Sequence, residues 1–241
     1  MNFKIYYVLL SIFIGSIIQG YSQNDVGSVE QVKYAGAFEF GLQHSVNLTT
    51  LSGNNNSYKV GKNRVVELDP VGRRLTVDLG MFTNFYFSKV VSLDFEVLYS
   101  YMGAHVNKKT TLLHDLGEIS GTDNESYALQ YFRFPLVLKV HPSEKAFVEF
   151  GGYAATLLSA EKFYPWYTDP GYSREKLNGI SSFDAGLLVG VGFDLKILNL
   201  GFRYNYGLVN VFEDQGSLDL RNSMFQVVAQ WKMYSDIKKQ M

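Results

Sequence analysis

The chain contains no cysteine, which rules out a disulfide framework, a thiolate metal site and an acceptor for a lipoprotein anchor. Proline is scarce, 5 in 241 residues, and neither sign of charge is in excess, the formal net charge being −1. So even a balance offers no basic footprint for nucleic acid, and that class of partner is set aside. Long apolar runs are missing too, apart from residues 5–18. That run follows Lys4 and gives way to Gln19, Gly20, Tyr21 and Ser22, the layout of a secretory signal cut after Ser22. It falls short of the roughly 20 residues that a spanning helix needs. Residues 1–22 are therefore expected to be removed, with 23–34 a short polar lead-in in the periplasm. Beyond them no segment approaches a spanning helix, so residence in a membrane requires a closed sheet.

Aromatic residues are abundant, 17 Tyr and 18 Phe, and they fall into a period of two. Leu198, Leu200, Phe202, Tyr204 and Tyr206 alternate with Asn199, Gly201, Arg203, Asn205 and Gly207, the mark of a strand with one greasy and one polar face. The pattern occurs over residues 35–48, 74–87, 91–101, 132–141, 148–159, 183–195, 198–210 and 225–233. Tight turns join the second of these to the third, the fourth to the fifth and the sixth to the seventh. The polar stretches 49–73, 107–126, 161–181 and 213–221 read as loops. An even number of antiparallel strands with tight turns on one rim and long loops on the other is the arrangement of outer-membrane barrels. The predicted fold is all-β: an eight-stranded antiparallel up-and-down transmembrane β-barrel over residues 35–234, followed by a periplasmic tail, 235–241.

Alternation alone fits a soluble barrel with its apolar face inward equally well. Side-chain size separates the two. An eight-stranded barrel has just enough interior for its own side chains, so bulky residues from every strand do not fit there, whereas Gly and Ser beside a few long charged groups do. Glu39, Asp78, Asp94, Glu96, Glu149, Asp184 and Asp194 are thus predicted to face Arg133, Lys139, Arg203 and Lys232 inside, as a paired network that plugs the tube. Tyr86, Phe87, Trp231 and Tyr234 near the tight turns, and Tyr99, Tyr101 and Tyr127 near the long loops, fit interfacial girdles. Pro135 falls within the fourth strand, where proline is tolerated at an edge or a bulge.

The blocks FEVLYSYMGA, YFRFPLVLKV, GGYAATLLSAEK, FDAGLLVGVGFDL, FRYNYGLVNV and RNSMFQVV resemble, in that order, the PorT-type outer-membrane β-barrel family over residues 35–234. The resemblance implies an integral protein of the outer membrane, delivered through the periplasm and inserted by the barrel-assembly machinery. It also brings an alternative role as an accessory component of a protein secretion or gliding-motility system. Many outer-membrane barrels end on an aromatic residue; here Tyr234 is followed by SDIKKQM.

The expected role is structural or interactive, through extracellular loops, in contact with outer-membrane lipid and lipopolysaccharide. Eight strands leave no aqueous channel, so a general diffusion pore is not expected. In the loop 161–181, Tyr164, Trp166, Tyr167 and Tyr172 are candidates for contact with an unidentified protein or glycan; the competing reading lays these rings at the membrane interface or packs the loop on itself. Arg64, Arg73 and Arg74 near the outer rim are candidates for lipopolysaccharide phosphates. The histidines, His44, His105, His114 and His141, form no recognisable nucleophile–base–acid set, and His44 and Ser45 point to opposite faces of a strand. An outer-membrane enzyme acting on lipid is the remaining alternative, against which stands the lack of such a set; neither catalysis, nor a metal, nor a cofactor is expected. The outer-membrane fraction of cells expressing the chain should contain a band that migrates differently on a gel before and after boiling; an unchanged band would contradict the barrel.

Overall fold

In the computed structural model the alternating segments become antiparallel strands. Residues 34–61, 63–114, 117–163, 174–195, 197–213 and 218–237 are described; the expected signal and residues 23–33 lie outside them. Among the described residues the strands are β1 (Phe38–Asn55), β2 (Ser57–Val60), β3 (Arg64–Tyr86), β4 (Val91–Met102), β5 (Ala104–His114), β6 (Gly117–Ser143), β7 (Ala146–Phe163), β8 (Glu175–Lys176), β9 (Phe183–Asp194), β10 (Leu198–Gly207) and β11 (Asp219–Ser235). Eight of them close a ring, each hydrogen-bonded to the next: β1, β3, β4, β6, β7, β9, β10, β11 and back to β1.

The register of that ring fixes its dimensions. Paired residues followed once around, from Phe193 through Leu200, Ala229, His44, Leu79, Tyr99, Phe132 and Thr156, return to β9 at Phe183, a stagger of ten residues. With a rise of about 3.3 Å per residue and about 4.8 Å between strands, this tilts the strands by about 40° and gives a backbone cylinder about 8 Å in radius.

Two of the expected loops are strands. Residues 64–73 belong to β3, 107–114 form most of β5 and 117–126 the start of β6; these pair with one another beyond the ring, and β2 adds to β3. About 10 residues suffice for a strand to cross the hydrocarbon, yet β3 has 23 and β6 has 27, so both continue well past it. This outer sheet escapes a search for grease on alternate positions because few of its residues, Val66, Leu68, Ala104 and Val106 among them, are buried in an apolar core. Likewise β1 runs on to Asn55 and β11 starts at Asp219, inside stretches read as loop.

The joint between barrel and outer sheet is Gly103, where β4 passes into β5 with φ at 132°. A Cβ there would lie 2.0 Å from the Tyr127 carbonyl oxygen, so only glycine lets β6 approach. Pro135 is at neither an edge nor a bulge of the β4–β6 pair. Phe95 pairs with Leu136 and Leu98 with Arg133, in unchanged register, while Glu96 and Val97 between them have no partner on β6; the ladder skips the site where proline has no N–H. The tail is also tied down at Asp236: the Phe38 amide donates to Asp236 Oδ1 at 2.7 Å, and the Asp236 amide to the Phe38 carbonyl at 3.3 Å. Gly103→Ala should destabilise the barrel by about 2 kcal/mol through strain and crowding, read as a fall in the urea concentration at which the fast-migrating form disappears; an unchanged midpoint would contradict this account of the joint.

Candidate functional site

Inward positions of the ring carry the charged set, tied by ion pairs and hydrogen bonds into three clusters stacked along the barrel. At the end with the tight turns, Lys232 Nζ lies 2.8 Å from Asp194 Oδ1 and 3.2 Å from Glu39 Oε1, and Glu39 accepts from the hydroxyls of Tyr86 and Ser235 at 3.0 and 2.8 Å. At mid-height Lys139 Nζ lies 2.6 Å from Asp94 Oδ2. Arg203 is clamped between two carboxylates, its Nη2 2.7 Å from Glu96 Oε1 and its Nε 2.6 Å from Glu149 Oε1. Gln43 and Gln230 bridge these pairs by donating to Glu96 and Asp94. Higher up, Arg133 Nη1 meets Asp78 Oδ2 at 3.4 Å, Asn47 and Gln226 donate to the same carboxylate, and the guanidinium lies 4.3 Å from the Tyr153 ring centroid.

Asp184 departs from the expected pairing with a cation. Its partners are the Tyr153 hydroxyl at 3.2 Å and the Asn222 amide at 2.9 Å, so neutral donors replace a guanidinium where the network meets an apolar layer. That layer has no counterpart in the predicted interior. Met102, Leu129, Tyr131, Tyr153, Leu220 and Met224 face inward, packed with Val66, Leu68 and Val106 from the outer sheet and with Val211 and Phe212 from the β10–β11 connection. Asn210 holds that connection in place: its Oδ1 accepts from the amides of Phe212 and Leu220 at 3.2 and 3.1 Å, and its Nδ2 donates to the Leu218 carbonyl. Ser181 donates its amide to the Val211 carbonyl at 2.8 Å, joining the two long connections above the barrel. Tyr86 and Tyr127, expected in the girdles, are buried inside. Tyr86 shares the parity of Asp78 and Asn84, so alternation already carried that signal, and proximity to a strand end misled.

The histidines form two serine pairs that the sequence did not disclose. His105 Nδ1 lies 2.6 Å from Ser126 Oγ, and His141 Nε2 lies 3.0 Å from Ser92 Oγ. Both serines are fully buried, so these are cross-strand hydrogen bonds rather than nucleophiles presented to a substrate. His44 faces outward and Ser45 inward. Among the described residues no group of three or more His, Asp or Glu is placed to hold a metal ion. Tyr164, Trp166, Tyr167 and Tyr172 lie outside the described residues.

A closed ring, a filled interior and an apolar outer wall define the class: a small barrel built for a bilayer. A family model described as outer membrane protein beta-barrel domain matches residues 21–213; the chain belongs to that family, and the protein resides in the outer membrane. A comparison with curated proteins finds no match. Among solved structures the chain is similar to Neisserial surface protein A, at 12% identity over 82% of this chain and 99% of that one, with a TM-score of 0.47. It is also similar to Ail, the attachment invasion locus protein of Yersinia pestis, at 10% identity, 83% and 99% coverage and a TM-score of 0.42. For OprG of Pseudomonas aeruginosa the values are 11%, 83%, 94% and 0.35.

Arg203→Met strands Glu96 and Glu149 against each other in a buried interior, which should cost about 3–5 kcal/mol. Adding Glu96→Gln and Glu149→Gln should recover most of that loss. Equal unfolding midpoints for wild type and the single variant would show that the clamp carries no such load.

Proposed function

We propose that the barrel is a closed, membrane-anchored pedestal and that the outer sheet it carries is the interacting part, engaging an unidentified protein or glycan at the cell surface. The observation that carries this reading is the row Val60, Arg64, Leu112 and Ile119. These residues are direct neighbours across β2, β3, β5 and β6. Val60, Leu112 and Ile119 are exposed. Three apolar side chains flanking a guanidinium, on strands held in fixed register, suit a contact surface. The connection from β7 to β8, with Tyr164, Trp166, Tyr167 and Tyr172, is assigned a share of the contact on its composition alone.

Lipopolysaccharide is the proposed lipid neighbour. Arg73, whose guanidinium lies 5.1 Å from the Phe225 ring centroid at the upper edge of the apolar wall, is the candidate for its phosphates. Removal of residues 1–22 and insertion by the barrel-assembly machinery complete the reading. The alternative, an accessory part in a protein secretion or gliding-motility system, draws on the PorT-type resemblance and would use the same surface.

The test replaces residues 107–124 with Asn-Gly, a two-residue turn that closes the remaining hairpin at Val106 and Glu125. Glycan and extracellular-protein arrays are probed with both forms. The shortened barrel should remain heat-modifiable on gels and lose array binding shown by the full chain. Equal binding by both forms, or none by the full chain, would contradict the proposal.

A further inference from the structure

Within the apolar wall, tyrosines aside, mid-height positions carry one ionisable side chain among the described residues, His44. On β1 the outward series is Phe38, Phe40, Leu42, His44, Val46 and Leu48, so grease lies below and above it. Its register neighbours are Leu79 on β3 and Ala229 on β11. The ring stacks against Trp231, centroids 6.4 Å apart, and among the described residues no hydrogen bond reaches its nitrogens. Leu42, Val46, Val77, Leu79 and Trp231 surround it in a shallow recess between β1 and β3.

A polar group held at the centre of a hydrocarbon layer without a partner is costly. Lipid tails supply neither a donor nor an acceptor. A neutral imidazole carries one of each, so a second imidazole is its complement. An isologous interface with its two-fold axis along the membrane normal sets a residue at a given height opposite its own copy. We infer that the β11–β1–β3 wall is an interface between two copies of this chain in the outer membrane, with His44 of one copy donating its ring N–H to the ring nitrogen of the other. The small side chain of Ala229 leaves room for the facing ring.

The lack of cysteine makes the test clean. Leu79→Cys places a thiol beside the proposed axis, and Val191→Cys places one on β9, on a distant part of the wall. Both proteins are incorporated in bilayers and treated with a short bis-maleimide, and gel migration before boiling verifies that each is folded. Leu79→Cys should give a crosslinked dimer and Val191→Cys should not. Adding His44→Leu to Leu79→Cys should lower the dimer yield about tenfold, the scale of one hydrogen bond in a membrane. Equal crosslinking at the two positions, a yield indifferent to His44→Leu, or crosslinks in native membranes to some other protein in place of a second copy would overturn the inference.

Discussion

Closure of eight strands at a stagger of ten residues is the constraint from which the rest follows. It satisfies the backbone in a medium that offers no hydrogen bonds, and it shrinks the interior to what side chains alone can fill. Inward positions must then be small, or long and paired. Gly190 and Gly192 show the first case: a Cβ at Gly190 would lie 2.6 Å from Glu149 Oε1, and one at Gly192 would lie 2.3 Å from the Phe147 ring. Arg203 shows the second, because its guanidinium has enough donors to serve two carboxylates at once.

Polarity inverts where the strands leave the membrane. On β3, Leu75 and Leu79 point outward and are 69% and 60% exposed, whereas Val66 and Leu68 point inward and are 1% and 2% exposed. The chain obeys one rule on both sides of the boundary, which is to turn grease away from water, and the exposed row of Val60, Leu112 and Ile119 is the exception. Inside the bilayer the outer neighbour is lipid, so the interior takes the polar groups. Beyond it the outer neighbour is water, so the interior takes the apolar ones. The protein therefore has two stacked cores, a hydrogen-bonded ionic one and an apolar one, with Tyr153, Asp184 and Asn222 at their junction.

This inversion also explains what the sequence disclosed. The membrane-spanning parts were legible because lipid enforces strict parity: Glu39, Gln43, Ser45 and Asn47 against Phe40, Leu42, Val46 and Leu48 on β1. Residues 49–73 and 107–126 were not, because among the described residues of those stretches only Leu51, Val66 and Leu68 are buried in the apolar core, too few to set up an alternation. Tyr131 and Met224 were missed for a related reason: an apolar residue at an inward position is unexpected until the boundary is known. Asp184 carries the parity of the ionic network, but no sequence rule says that its partners are a phenol and an amide.

The tube is sealed twice, by ion pairs at mid-height and by apolar side chains at its outer mouth. Planar-bilayer recording from the purified, heat-modifiable protein tests it most directly. The account predicts insertion without stable ionic conductance under an applied voltage. Steady, large single-channel steps from the folded form would contradict it.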